Sequence, residues 1–65
     1  MKRYYLTFGQ QNPQRDGYIL VMAVSYEDAR AKVIEVYGIK WSGLYAEKDF
    51  ANEYFPKGQL GVLKA

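Results

Sequence analysis

The segment Tyr18–Asp28, YILVMAVSYED, constrains the fold more than any other part of this chain. Tyr18 to Val24 is its most apolar run, rich in β-branched residues and short, which favours a central strand over a helix. Strand alternation places Tyr18, Leu20, Met22 and Val24 on one face, and Ile19, Val21 and Ala23 on the other. Ser25 follows at once. Its hydroxyl can accept a hydrogen bond from the amide of Asp28, and Glu27 and Asp28 suit the positive end of a helix. Ser25-Tyr26-Glu27-Asp28 is a capping box with Asp in place of the usual Glu or Gln. Ala29, Val33, Val36 and Tyr37 then recur at helical spacing, flanked by Tyr26 and Ile34. Gly38 supplies the left-handed residue that ends a helix, and Ile39 is positioned to pack back on the last turn.

The flanking segments read as strands. Arg3 to Phe8 alternates, with Tyr4, Leu6 and Phe8 on one face and Arg3, Tyr5 and Thr7 on the other. Gly9 to Gly17 is a polar loop closed by the turn pair Asp16-Gly17, and the two strands it joins form an antiparallel pair most simply. Lys40 to Lys48 returns to strand character, with Trp41, Gly43 and Tyr45 on one face. Asp49 to Gly58 is aromatic yet irregular. Gln59 to Leu63 reads as a weak last strand at a sheet edge, Leu60 and Val62 sharing a face.

The expected architecture is therefore α+β, a single domain over residues 1–65 in the order β-β-α-β-β. A small, mainly antiparallel sheet of three to four strands carries one helix on a face. Strand neighbours are left open, and Tyr18 to Lys48 also admits a right-handed crossover to a parallel pair.

Composition narrows the chemistry. The chain has neither histidine nor cysteine. It thus lacks the commonest general base, the commonest metal ligand and any disulfide or thiolate site. Glu27 and Asp28 are explained by the helix start. Glu47, Asp49 and Glu53 lack the spacing and glycine of a calcium loop, and Gly58 to Gly61 is not a phosphate loop. The reading is of a non-enzyme with no metal and no cofactor. The net charge of +2 is too mild to argue for nucleic acid by itself. No apolar stretch is long enough to span a membrane, and the N-terminus lacks the apolar region of a signal peptide. A cytoplasmic protein is expected.

Certain short motifs stand in a suggestive order: FGQ at Phe8–Gln10, SYEDAR at Ser25–Arg30, YGIKW at Tyr37–Trp41, then Tyr45 and EYFPKG at Glu53–Gly58. Together they resemble a group of small, mostly uncharacterised proteins of bacteriophages and prophages of Gram-positive bacteria. The resemblance spans nearly the whole chain and implies a virus-encoded accessory protein in the host cytoplasm. It implies no activity and no site residues.

Aromatic residues make up 17% of the chain, seven of them Tyr, which is more than a core this small demands. Interfaces favour such rings. The candidate partner-binding residues are Tyr5, Trp41, Tyr45, Phe50, Tyr54 and Phe55, and the expected partner is a host protein that the chain binds and inhibits. Phe50 to Pro56 either folds back as a lid over the core or part of it stays exposed for that partner. Trp41 is either core or an interface anchor. A weak edge strand offers a second contact, including a homodimer. The alternative is a single-stranded nucleic-acid or nucleotide-binding module, with Tyr4, Tyr5, Tyr18, Trp41 and Tyr45 stacking bases beside Lys2, Arg3, Lys40 and Lys48.

Overall fold

The apolar run becomes the strand around which the molecule is organised. The computed structural model describes residues 1–9 and 12–65, with Asn52 described by its backbone alone. Of the loop expected over Gly9–Gly17, Gln10 and Gln11 lie outside the described residues, and so does the end of the FGQ motif. Strand β1 (Lys2–Thr7) and strand β2 (Gly17–Ala23) are central to a four-stranded sheet. Helix α1 (Tyr26–Tyr37) follows, then strands β3 (Gly43–Ala46) and β4 (Gly58–Lys64), which form the two edges. The sheet order is β3-β1-β2-β4. β1 pairs antiparallel with both β2 and β3, and β4 pairs parallel with β2. The α+β architecture expected from the sequence, with its mostly antiparallel sheet, is the one observed.

Alternation decides which residues face the helix. Tyr4, Leu6, Phe8, Ile19, Val21, Ala23, Ala29, Val33 and Leu44 form one buried cluster between sheet and helix. Tyr37, Trp41, Ala46 and Leu63 pack against it partly buried. The helix begins as its sequence directs: the Asp28 amide donates to Ser25 Oγ at 3.2 Å. It ends at Gly38, whose φ of 65° is the conformation that glycine tolerates best.

Four details depart from the sequence reading. Ile39 does not pack back on the helix; it is 90% exposed. Trp41 packs there instead, its indole N–H donating to the Gly38 carbonyl at 2.8 Å, where it satisfies one of the helix-end acceptors. Val36 is exposed, because only Ala29 and Val33 of the apolar stripe reach the sheet squarely. The third strand is shorter than Lys40–Lys48, and β3 pairs with β1 rather than crossing over to β2. Ser42 donates to the Thr7 carbonyl at 2.9 Å as the chain enters β3, and a 3₁₀ turn at Glu47–Asp49 takes it off the sheet. The parallel pair is instead β2 with β4. Finally, Leu60 and Val62 do not share a face. The β2–β4 register passes from Tyr18↔Gln59 to Ile19↔Gly61, so Leu60 is bulged out. It lies over Gly17, where an added Cβ would come within 2.5 Å of the Leu60 side chain.

Burial of this kind sets the expected response to truncation. Leu6→Ala, at a fully buried position, is expected to cost about 2–5 kcal/mol. Val62→Ala, on the half-exposed edge, is expected to change stability by less than about 0.5 kcal/mol. Urea unfolding midpoints of the two variants check this.

Candidate functional site

One helix covers one face of the sheet, and the other face carries Tyr5, Tyr18, Leu20 and Met22 from the central strands. What covers part of it is the chain between β3 and β4. The 3₁₀ turn at Glu47–Asp49 reverses the backbone, the Phe50 amide donating to the Glu47 carbonyl at 3.4 Å. A second 3₁₀ turn spans Asn52–Tyr54. The Lys57 amide then donates to the Asp16 carbonyl at 2.9 Å, which ties the segment to the start of β2. Gly58, at a φ of 67°, completes the reversal into β4. The segment thus folds back over the sheet face away from the helix and not over the core cluster, with Phe50 and Phe55 half-buried and Tyr54 exposed.

Rings hold it there. Phe50 stacks on Tyr5 with centroids 4.4 Å apart and planes 3° from parallel, and Phe55 stacks on Phe50 at 5.2 Å. Tyr18 meets Phe50 edge-on at 4.9 Å and Tyr5 edge-on at 5.5 Å. Pairs of this kind contribute about 0.5–1.5 kcal/mol each beyond their area. Tyr18 enters because the β1–β2 register sets Thr7 against Tyr18 and Tyr5 against Leu20, so both tyrosines project from one face. Sequence reading left Tyr18 out of the candidate partner-binding set. Its alternation with Leu20 and Met22 gives the face, but only the register gives the neighbour.

On the outer side of this cluster is a groove of about 280 Å³ lined by Tyr45, Asp49, Phe50, Ala51, Tyr54 and Phe55. Four of the six predicted residues therefore converge on one surface. Tyr54 is 74% exposed and Tyr45 is 42% exposed, whereas Phe50 and Phe55 are half-buried beneath them. Tyr45 lies back along its own strand over Gly43, where an added Cβ would come within 2.7 Å of the phenol oxygen. Tyr5 is the floor of the ring cluster and not a freely exposed ring. Trp41 is on the helix side, remote in role from the groove. Asp49, which the aromatic stretch concealed, is the one charged residue in the lining among the described residues.

The electrostatics beside the groove are centred on Glu47. The Tyr5 hydroxyl donates to Glu47 Oε2 at 3.3 Å, and the Arg3 guanidinium is 3.8 Å from the same oxygen. Burial pushes the Tyr5 phenol above the usual tyrosine range, and the neighbouring Glu47 carboxylate raises it further. A larger concavity, about 550 Å³, lies at the start of β1 between Lys2, Arg3, Glu47 and Lys48. Those four side chains are all exposed and it offers no exposed ring, since Tyr4 there is buried in the core. Of the rings considered for base stacking, Tyr4 and Trp41 are on the helix side, whereas Tyr5, Tyr18 and Tyr45 are on the opposite face. Among the described residues, no three acidic side chains gather closely enough to hold a metal ion. No helix among them is long and apolar enough to cross a membrane.

No protein-family model, curated protein or solved structure matches the chain.

Two predictions arise here. The folded state holds the Tyr5 proton more tightly than the unfolded chain does. That contribution is complete below the unfolded tyrosine value, about pH 10, and is lost as pH rises through the higher folded value. Tyr5→Phe is accordingly expected to lose less stability than the parent between neutral pH and about pH 11, read by denaturant titration at each pH. Trp41→Ala is expected to cost about 2–3 kcal/mol, less than a fully buried Trp, through lost packing and the lost bond to Gly38. The ring-current shifts of Phe50 and Phe55 should stay in place in its NMR spectrum.

Proposed function

We propose that this chain is a non-enzymatic accessory protein of phage or prophage origin that binds a host protein and blocks it. The observation that supports the reading best is the convergence of Tyr45, Phe50, Tyr54 and Phe55 on one groove. Exposing Tyr54 to water has no folding benefit, and tyrosines set over a packed apolar floor are the kind of residue that carries binding energy in protein interfaces. The floor is preorganised by the Tyr5–Phe50–Phe55 stack, so little ordering would be needed on association. The viral setting rests on the order of the motifs from Phe8 to Gly58, and inhibition is the simplest action for a small binder lacking imidazole and thiol chemistry.

A protein partner is favoured over single-stranded nucleic acid by the sign of the groove. Among the described residues its lining holds Asp49 and no Lys or Arg, whereas strands of nucleic acid are gripped where rings and cations lie together.

A photo-crosslinking phenylalanine analogue at Tyr54, with the same analogue at Glu35 on the exposed helix face as control, tests this in host lysate. The expected result is one dominant protein adduct from position 54, absent from position 35 and reduced at least tenfold by Tyr45→Ala. Equal labelling from both positions, or adducts dominated by nucleic acid, would contradict the reading.

A further inference from the structure

The groove combines two features that together specify more than stickiness. Its lining is mostly aromatic, and an exposed ring face carries negative electrostatic potential; among the described residues the one charged side chain in the lining is the Asp49 carboxylate. The nearby acids reinforce that sign. Glu47 is engaged by Arg3 and Tyr5, while neither Asp49 nor Glu53 has an ion-pair partner among the described residues. The segment Glu47–Tyr54 contains three acids against the single cation Lys48. A surface of this kind attracts a cation that can lie flat on a ring and also reach a carboxylate.

We propose that the groove receives an arginine side chain of the partner protein, its guanidinium lying against the exposed rings of Tyr45 and Tyr54 and pairing with Asp49. This rests on the reading of the groove as a protein-binding surface and names the chemistry of the residue that enters it. A guanidinium suits the site better than an ammonium because it is planar, weakly hydrated and forked, so stacking and carboxylate pairing are available at once. It does not enter between Phe50 and Phe55, whose centroids are 5.2 Å apart and already in contact. The places left for it are the outward faces of Tyr54 and Tyr45, the two most exposed rings in the lining.

The test uses the intact chain and three end-blocked tripeptides, Gly-Arg-Gly, Gly-Lys-Gly and Gly-citrulline-Gly, titrated while the aromatic proton resonances are followed. The arginine peptide is expected to shift the Tyr45, Tyr54 and Phe50 resonances saturably, with half-saturation in the millimolar range or tighter. The lysine peptide is expected to bind several-fold more weakly, and the citrulline peptide, which keeps the shape and loses the charge, to leave the rings unmoved. Asp49→Asn should weaken the arginine response about fivefold or more without changing the unfolding midpoint, since Asp49 is exposed. Equal shifts from citrulline, an equal response to lysine, no effect of Asp49→Asn, or no shift with any peptide would each overturn the proposal. If the peptides are silent while Tyr54 still cross-links a host protein, the binding surface stands and the arginine assignment falls. Loss of both removes the groove as a binding site.

Discussion

A single helix can cover only one face of a sheet, and that constraint governs this molecule. The helix is 12 residues long, so it extends about 18 Å at 1.5 Å per residue. Four strands at about 4.8 Å spacing present two faces of comparable area. The helix-side face is closed by aliphatic residues together with Tyr4 and Phe8, with Leu6, Val21 and Val33 fully buried. The opposite face has no second helix among the described residues, and its central strands carry tyrosine, leucine and methionine beside Arg3. Water contact with that surface is unfavourable. The chain resolves the conflict with the lid from Glu47 to Lys57, which brings its own rings to Tyr5 and Tyr18.

That solution is incomplete, and the rings it leaves exposed are the ones on which the proposed function rests. Phe50 and Phe55 complete a packed layer with Tyr5 and Tyr18. Tyr54 and Tyr45 are left over on the outside, around the one carboxylate that lines the groove. The layer beneath them is held at its ends by backbone bonds, at the Glu47 turn and at the bond from Lys57 to Asp16. The groove is packed at its base and exposed at its rim. Under the proposed function, that arrangement suits the anchoring of one side chain from a partner better than the enclosure of a small molecule.

The Ser25–Asp28 cap, the Gly38 stop and the alternation in β1 and β2 all specify what is observed, and they carry the α+β layout. One local signal misleads: Ile39 is exposed and Trp41 caps the helix end instead. The other features not legible in the sequence are decided over longer range. β3 joins β1, with Tyr45 opposite Tyr5, and not β2, a pairing with no local signature. The bulge at Leu60 breaks alternation within a strand that reads as regular, because Gly17 on the neighbouring strand leaves room for the displaced side chain. Trp41 alternates with Gly43 and Tyr45, yet it belongs to the helix end because the strand has not begun there. Within the groove, aromatic content points to Phe50, Tyr54 and Phe55, but that Asp49 shares their lining is visible only in the fold.

The account depends on the lid being held against the sheet by ring stacking in solution. Two-dimensional nuclear Overhauser spectroscopy of the aromatic protons tests that most directly. The predicted result is strong cross-peaks between Tyr5 and Phe50 and between Phe50 and Phe55, with Phe50 also correlated to Tyr18 and none of these rings correlated to Trp41. Absence of the Tyr5–Phe50 cross-peak, in a protein whose Tyr4–Tyr26 and Phe8–Tyr37 contacts across the helix interface are intact, would contradict it.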